Sequence, residues 1–340
     1  MHAMIIAAIA DSAPGTGNDT TIRRIAAHLS SVGHELRLVE ASSLPQVLAD
    51  GVGGLSFDAA IVTHAVAAGE IRHRLNVPYI VVFGGTDLNE FSLDPAHLAV
   101  MTEAVAGAEA LVAFNDDFVL RCLALWPDTI QKLYSIPQAV DTDPSDFSLK
   151  NRLELPDDSK VFLLPAGLRP VKDPLFLTAC VDEWHREDPR VRLVIAGVAY
   201  DGFEEILRRR CLRHSGVHYA GALNRRDLHA AMREATAVLN TSLSECSPNA
   251  VLEAMHLGTP VIARDIPGNT CLVADGITGL LFHSPDEFRT QAQRLLEDPS
   301  LAASLAGNAR RMIDSRHGLP AEAAAYTQVL QHVAGRSVHA

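Results

Sequence analysis

The stretch AVLNTSLSECSPNAVLEAMHLGTPVIA, residues 237–263, decides the fold class. It runs from a short apolar segment (237–240) through small and polar residues into an amphipathic helix pattern (249–256), then into a second apolar segment (261–263). Two continuous apolar runs joined by a helix predict parallel strands buried on both faces, because the crossover helix covers one face and its neighbours the other.

The same alternation extends outward in both directions. In the C-terminal half, apolar runs at 161–165, 191–196, 217–219 and 279–282 read as strands, with helices at 174–184 and 225–234. In the N-terminal half, strands are expected at 4–10, 35–39, 59–63, 79–83 and 110–114. Residues 20–32 place Ile22, Ile25, Ala26 and Leu29 on one face, the period of a helix. Between the two halves, IPQAVDTDPSDF (136–147) loses periodicity and gathers proline and aspartate, which marks a linker. The sequence therefore predicts an α/β protein of two doubly wound, Rossmann-like domains facing a cleft. The expected boundaries are 1–140 for the N-terminal acceptor domain and 141–315 for the C-terminal donor domain. Residues 316–340 form a last helix that either completes the second domain or crosses back to the first.

Composition excludes several functions. At 340 residues and 48% hydrophobic, the chain has material for two cores. Its net charge of −12 gives no cationic footprint for nucleic acid or a membrane surface. Five cysteines without C-x-x-C spacing suggest neither a disulfide framework nor zinc. A reducing cytoplasm is the expected location: the first apolar run is too short for a secretory signal and no stretch reaches a membrane span. Asp116 and Asp117 lack the D-x-D spacing of a metal-bound diphosphate site, so no essential metal or cofactor is expected.

In open parallel sheets ligands bind beyond the carboxyl ends of the strands, so the loops after each strand carry the chemistry. After residue 240 the loop runs into Pro248 at a helix start, where backbone N–H groups lack helical partners and suit an anionic diphosphate. Glu245 and Glu253, eight residues apart, place one carboxylate on that loop and another about a turn into the helix, a pair suited to sugar hydroxyls. After 161–165 come Arg169 and Lys172, local positive charge in an acidic chain. In the N-terminal half, SAPGTGN (12–18) offers Gly15 and Gly17 for close approach and Asn18 as cap or ligand contact. His64, Thr86 and Asp87 follow strands, and Asp87 has the alternative of capping a helix near Leu88.

The segment from Asn240 to Asn269 resembles the E-x7-E donor site of the retaining glycosyltransferases of family four, which have the GT-B fold. P-N-x-x-x-E-A-M, G-T-P-V-I-A, I-P-G-N and D-G-x-T-G-L-L-F (275–282) match in order, as do FNDDF (114–118) and I-P-x-x-V-D (136–141). The segment LPAGLRPVKDPL (164–175) points to one subfamily. The resemblance implies that Glu253 holds the ribose hydroxyls and Glu245 the donor sugar. Ser247, Pro248 and the backbone of Asn249, Ala250 and Val251 would meet phosphate and sugar, with Gly221 and Ala222 beside the donor. It implies Lys172 and Arg169 as catalytic cations, although here the arginine lies three residues before the lysine where relatives have five. Position 84 is glycine where many relatives have histidine.

The expected function is retaining transfer of a sugar from a nucleotide-sugar, UDP by family frequency, to a small-molecule or glycan acceptor, in a cleft that closes on the donor. Two other readings compete. One is a same-fold enzyme with a phosphate, sulfur or selenium acceptor; the other is a non-catalytic nucleotide-sugar-binding protein, which Gly84 favours and the intact Glu245, Lys172 and Glu253 oppose.

Overall fold

The computed structural model describes residues 4–10, 17–41, 57–200 and 202–337, with 17–18 and 334–337 described by backbone alone. The described residues fall into two units, one running to Ala139 and resuming at His317, the other from Val140 to Arg316.

The first unit contains a sheet in the order β2-β1-β3-β4-β5-β6. Its strands are β1 (Ile5–Ala10), β2 (Glu35–Glu40), β3 (Ala59–Thr63), β4 (Tyr79–Val82), β5 (Ala110–Ala113) and β6 (Leu133–Ser135). The second unit contains β7 (Lys160–Pro165), β8 (Val191–Ala196), β9 (Val217–Gly221), β10 (Ala237–Asn240), β11 (Val261–Arg264) and β12 (Leu280–Phe282), in the order β12-β11-β10-β7-β8-β9. Neighbouring strands in both sheets pair in parallel, as the uninterrupted apolar runs predict.

The second sheet shows why these runs make strands. Val161, Leu163, Val194, Ala196, Val238, Val261 and Ala263 pack on one face, against Met232 of the helix Arg225–Glu234 and Leu252 and Met255 of the helix Asn249–Leu257. The intervening Phe162, Leu164, Leu193, Ile195, Leu239 and Ile262 pack on the other, against Val181 and Trp184 of the helix Thr178–Glu187 and Phe288 of the helix Pro285–Glu297. Residue-by-residue alternation across the pleat sends apolar side chains both ways, so a polar residue on either face would be buried.

Strand order places the functional edge. The chain leaves β7 toward β8 and β9 on one side, then returns to β10 on the other, so the crevice beyond β7 and β10 is the topological switch point. In the first sheet the corresponding point lies between β1 and β3.

Two local expectations are adjusted and one strand was not expected. A helix predicted from residue 174 starts at Thr178, because Pro170–Lys172 forms a 3-10 turn and Asp173 takes the left-handed conformation at φ 42°. The last helix, expected over 316–340, is Leu319–Ser337, preceded by a separate helix Pro299–Arg316 with a break at His317 and Gly318. The edge strand β6 had no apolar run to announce it.

The tail helix is fixed to the first unit by a buried carboxylate. Glu322, 2% exposed, accepts hydrogen bonds from Arg24 Nε (2.8 Å) and Nη2 (3.0 Å) and from the Ala139 amide (3.1 Å), and lies 2.8 Å from His28 Nε2. Burial alone would raise this carboxyl, but the His28 hydrogen bond and the Arg24 charge outweigh it and hold the group below the usual carboxylate range.

Candidate donor site

At the switch point of the second sheet, the loop after β7 and the loop after β10 meet through an ion pair. Lys172 Nζ donates to Glu245 Oε1 at 2.6 Å, with the side chains 17% and 12% exposed. Two further bonds hold the loops in register: the Thr241 side chain donates from Oγ1 to the Lys172 carbonyl at 2.8 Å, and the Leu243 amide donates to the Val171 carbonyl at 2.8 Å.

Glu245 is oriented from its own loop as well. Ser242 Oγ (2.7 Å) and Asn240 Nδ2 (3.2 Å) donate to the same Oε1. Asn240 Oδ1 accepts from the Ser242 amide at 3.0 Å and from Asn269 Nδ2 at 3.2 Å. Asn269 is fully buried and its Nδ2 also reaches the Arg264 carbonyl at 2.8 Å. The I-P-G-N turn of the sequence therefore supports the carboxylate indirectly, through Asn269 on Asn240. Its glycine is needed for space: a Cβ on Gly268 would lie 2.2 Å from the Glu245 carbonyl oxygen.

Sequence reasoning missed Asn240, Asn269, Asp173 and Arg264 as members of this network. Arg264, at the end of β11, donates to Asp173 Oδ2 at 2.9 Å and stacks over the Phe176 ring at 4.2 Å. Its position at a strand end was the available signal. Arg169 opens the 3-10 turn and is exposed, near Lys172 in sequence and outside the Glu245 network.

The loop after β10 ends at Pro248, which caps the helix Asn249–Leu257. Pro248 and the buried Cys246 flank a half-buried Ser247. The Val251 amide bonds the Pro248 carbonyl at 3.0 Å and its side chain is fully buried in the core. Ala250 lies in the first turn, where an amide has no acceptor within the helix.

Glu253 stands one turn on, 8% exposed, in a network of its own. Its Oε1 lies 3.4 Å from His229 Nε2 and 3.8 Å from Arg225 Nε, both on the helix Arg225–Glu234. That helix follows Gly221, whose φ of 78° and open Cβ direction suit a glycine at a turn, and the exposed Ala222.

In the first unit, Gly15 lies outside the described residues, and Gly17 and Asn18 open the helix Gly17–Ser31 with only their backbone described. His64 follows β3 with φ 73°, a conformation that strains any residue but glycine. Its imidazole fills the space beside Gly84: a Cβ there would lie 2.1 Å from His64 Cε1. Asp87 resolves as a cap. Fully buried, its Oδ2 accepts from the Gly84 amide (2.8 Å) and the Ala65 amide (3.0 Å) and lies 3.3 Å from His64 Nδ1. The helix it caps is Gly85–Asn89, three residues earlier than expected, with Thr86 half-buried in its first turn.

A family model described as glycosyl transferases group 1 matches residues 146–312, within the second unit. Glycosyltransferase 1 domain-containing protein 1 of Xenopus tropicalis is 33% identical over 324 residues, 93% of this chain and 94% of that protein. The chain belongs to the glycosyl transferases group 1 family. The Xenopus protein represents the subfamily to which residues 164–175 point. Among solved structures of the family's fold, sucrose-phosphate synthase from Thermosynechococcus elongatus superposes with a TM-score of 0.79 at 17% identity, covering 97% of this chain and 99% of that one. HepE of Anabaena in complex with UDP-glucose gives 0.75 at 19%, covering 99% and 100%. The fold is thus GT-B, two Rossmann-like domains. No helix among the described residues is long and apolar enough to cross a membrane.

Proposed function

We propose that this chain is a retaining glycosyltransferase that takes its sugar from a UDP-linked donor bound in the second unit. The observation that carries the reading is the Lys172–Glu245 pair at the switch point, beside a helix N-terminus whose next turn presents Glu253. A diphosphate at that N-terminus meets the Ala250 amide and the positive end of the helix dipole. Glu253 takes hydroxyls of the ribose, and Glu245 a hydroxyl of the donor sugar. The UDP-glucose complex of HepE, on the same fold, supports UDP as the carrier.

Charge decides the chemistry. As the anomeric C–O bond lengthens, the departing diphosphate gains negative charge, and Lys172 and Arg169 offset it in the transition state more than in the ground state. The acceptor oxygen forms its bond to the anomeric carbon on the face the diphosphate leaves, and its proton passes to the leaving phosphate oxygen. This route needs no protein nucleophile on the opposite face, and the cations replace a metal. His64, at the switch point of the first sheet and oriented by Asp87, is an acceptor-side group in this reading, with Thr86 beside it. The acceptor is a hydroxyl-bearing small molecule or glycan, and the reaction is cytoplasmic.

The test is nucleotide release from a panel of UDP-, GDP- and ADP-sugars with varied acceptors, with and without EDTA, comparing wild type with Glu253→Ala. Release by wild type alone, unaffected by EDTA, is expected. Binding of a nucleotide-sugar without release for every acceptor would favour a non-catalytic binder and overturn the transferase.

A further inference from the structure

Glu253 is held from one side. Both of its ion-pair partners among the described residues meet Oε1: His229 Nε2 at 3.4 Å and Arg225 Nε at 3.8 Å. No ion-pair partner among the described residues meets Oε2.

His229 is fully buried in the middle of its helix, and its other nitrogen settles which atom carries the proton. Nδ1 accepts a hydrogen bond from the Asp143 amide at 3.0 Å. A ring nitrogen that accepts carries no hydrogen, so the proton of the ring sits on Nε2, facing the carboxylate. At 3.4 Å that contact is a few tenths of an ångström longer than an ordinary N–H···O bond, and among the described residues Nε2 has no hydrogen-bond partner. A small rotation of Glu253 completes the bond.

Asp143 belongs to the segment that leads from Ala139 into the second unit. The same helix grips that segment repeatedly. The Arg225 guanidinium bonds the Asp141 carbonyl, Arg226 Nε lies 2.9 Å from Asp143 Oδ2, and Ser145 Oγ donates to Asp227 Oδ1 at 2.6 Å. His229 and Arg225 thus each touch Glu253 with one group and the connecting segment with another.

We propose that His229 is a positioning residue for the nucleotide: Nε2–H fixes Glu253 Oε1 so that Oε2 receives the ribose hydroxyls, while Nδ1 ties that carboxylate to the Asp143 amide and so couples nucleoside binding to the connecting segment. This rests on the reading of Glu253 as the ribose-binding carboxylate. Nucleoside diphosphate that orders Glu253 shortens the bond to His229, and the ring in turn tightens on Asp143.

The experiment uses the full chain and the tightest-binding of UDP, GDP and ADP, with affinity by calorimetry and hydrogen exchange at the peptide containing Asp143. His229→Phe, which fills the volume and offers neither nitrogen, raises Kd about tenfold, the size of one hydrogen bond to a charged group, with kcat at saturating donor nearly unchanged. His229→Gln, whose amide still donates to Glu253, recovers most of the affinity. In wild type the nucleotide slows exchange at Asp143; in both variants that response is lost. Wild-type affinity in a folded His229→Phe, or Asp143 exchange that ignores nucleotide in wild type, overturns the proposal. Glu253→Ala separates the two levels: if it leaves affinity unchanged, the ribose reading itself fails; if it weakens binding while His229→Phe does not, only the role of His229 fails.

Discussion

Gly84→Ala gives the sharpest test of the geometry at the first sheet. Position 84 has φ −93° and ψ 168°, which alanine adopts without strain, so backbone conformation adds no cost. The cost is steric. The new Cβ would sit 2.1 Å from His64 Cε1 and 2.6 Å from each ring nitrogen, against 3.4 Å or more for ordinary contact, so the ring must retreat by about 1.3 Å (3.4 − 2.1). That retreat competes with the ring's contact to Asp87, 3.3 Å from Nδ1. Overpacking of this kind costs roughly 1–3 kcal/mol. At about 2–4 °C per kcal/mol for a unit of this size, Tm falls by about 2–12 °C. His64→Gly removes the ring and makes φ 73° a native glycine conformation, so about 1–3 kcal/mol of strain is released against the lost packing, and the net change is small. Adding Gly84→Ala to that background should then be close to neutral, a coupling of about 1–3 kcal/mol in a double-mutant cycle. Scanning calorimetry of the four proteins measures it. If Gly84→Ala lowers Tm equally with and without His64, the ring does not occupy that space and the reasoning is wrong. On the proposed acceptor-side role of His64, activity separates from stability: the double variant should regain Tm while nucleotide release is low.

Glu322→Ala leaves Arg24, its side chain 11% exposed, without a counterion, and should cost about 3–5 kcal/mol, whereas Glu322→Gln is milder; Tm and protease susceptibility of the tail helix report it. Because the Glu322 carboxyl is held below its unfolded value, its contribution is present above the unfolded carboxyl range and is lost as pH falls through the folded value. The acid limb of Tm against pH should therefore flatten in Glu322→Gln, and an unchanged limb would refute the linkage. Lys172→Ala and Glu245→Ala should each lower turnover by about 10²–10³-fold and combine less than additively, since they form one 2.6 Å pair; full additivity would separate them. Gly268→Ala must displace the Glu245 backbone, so turnover should drop on the order of 10²-fold at nearly unchanged donor Kd, and normal kinetics would sink the close approach.

The sequence by itself determined the two parallel sheets, most strand positions and the loops beyond them, because each rests on signals within a few residues: uninterrupted apolar runs, helix period, proline at a helix start. Spacing and resemblance also singled out Glu245, Glu253 and Lys172, of which Lys172 and Glu245 form an ion pair. β6 escaped because a half-buried three-residue edge strand needs no apolar run. The helix after Lys172 began late because Asp173 turned the chain first. Only tertiary structure decided that Lys172 reaches Glu245 across 73 positions, that His229 faces Glu253, that His64 fills the space beside Gly84, and that Glu322 returns the tail helix to Arg24, 298 positions away. None of these contacts has a local period. Each depends on strand order, which brings distant chain segments to one edge and lets charge and volume find partners that no window of sequence contains.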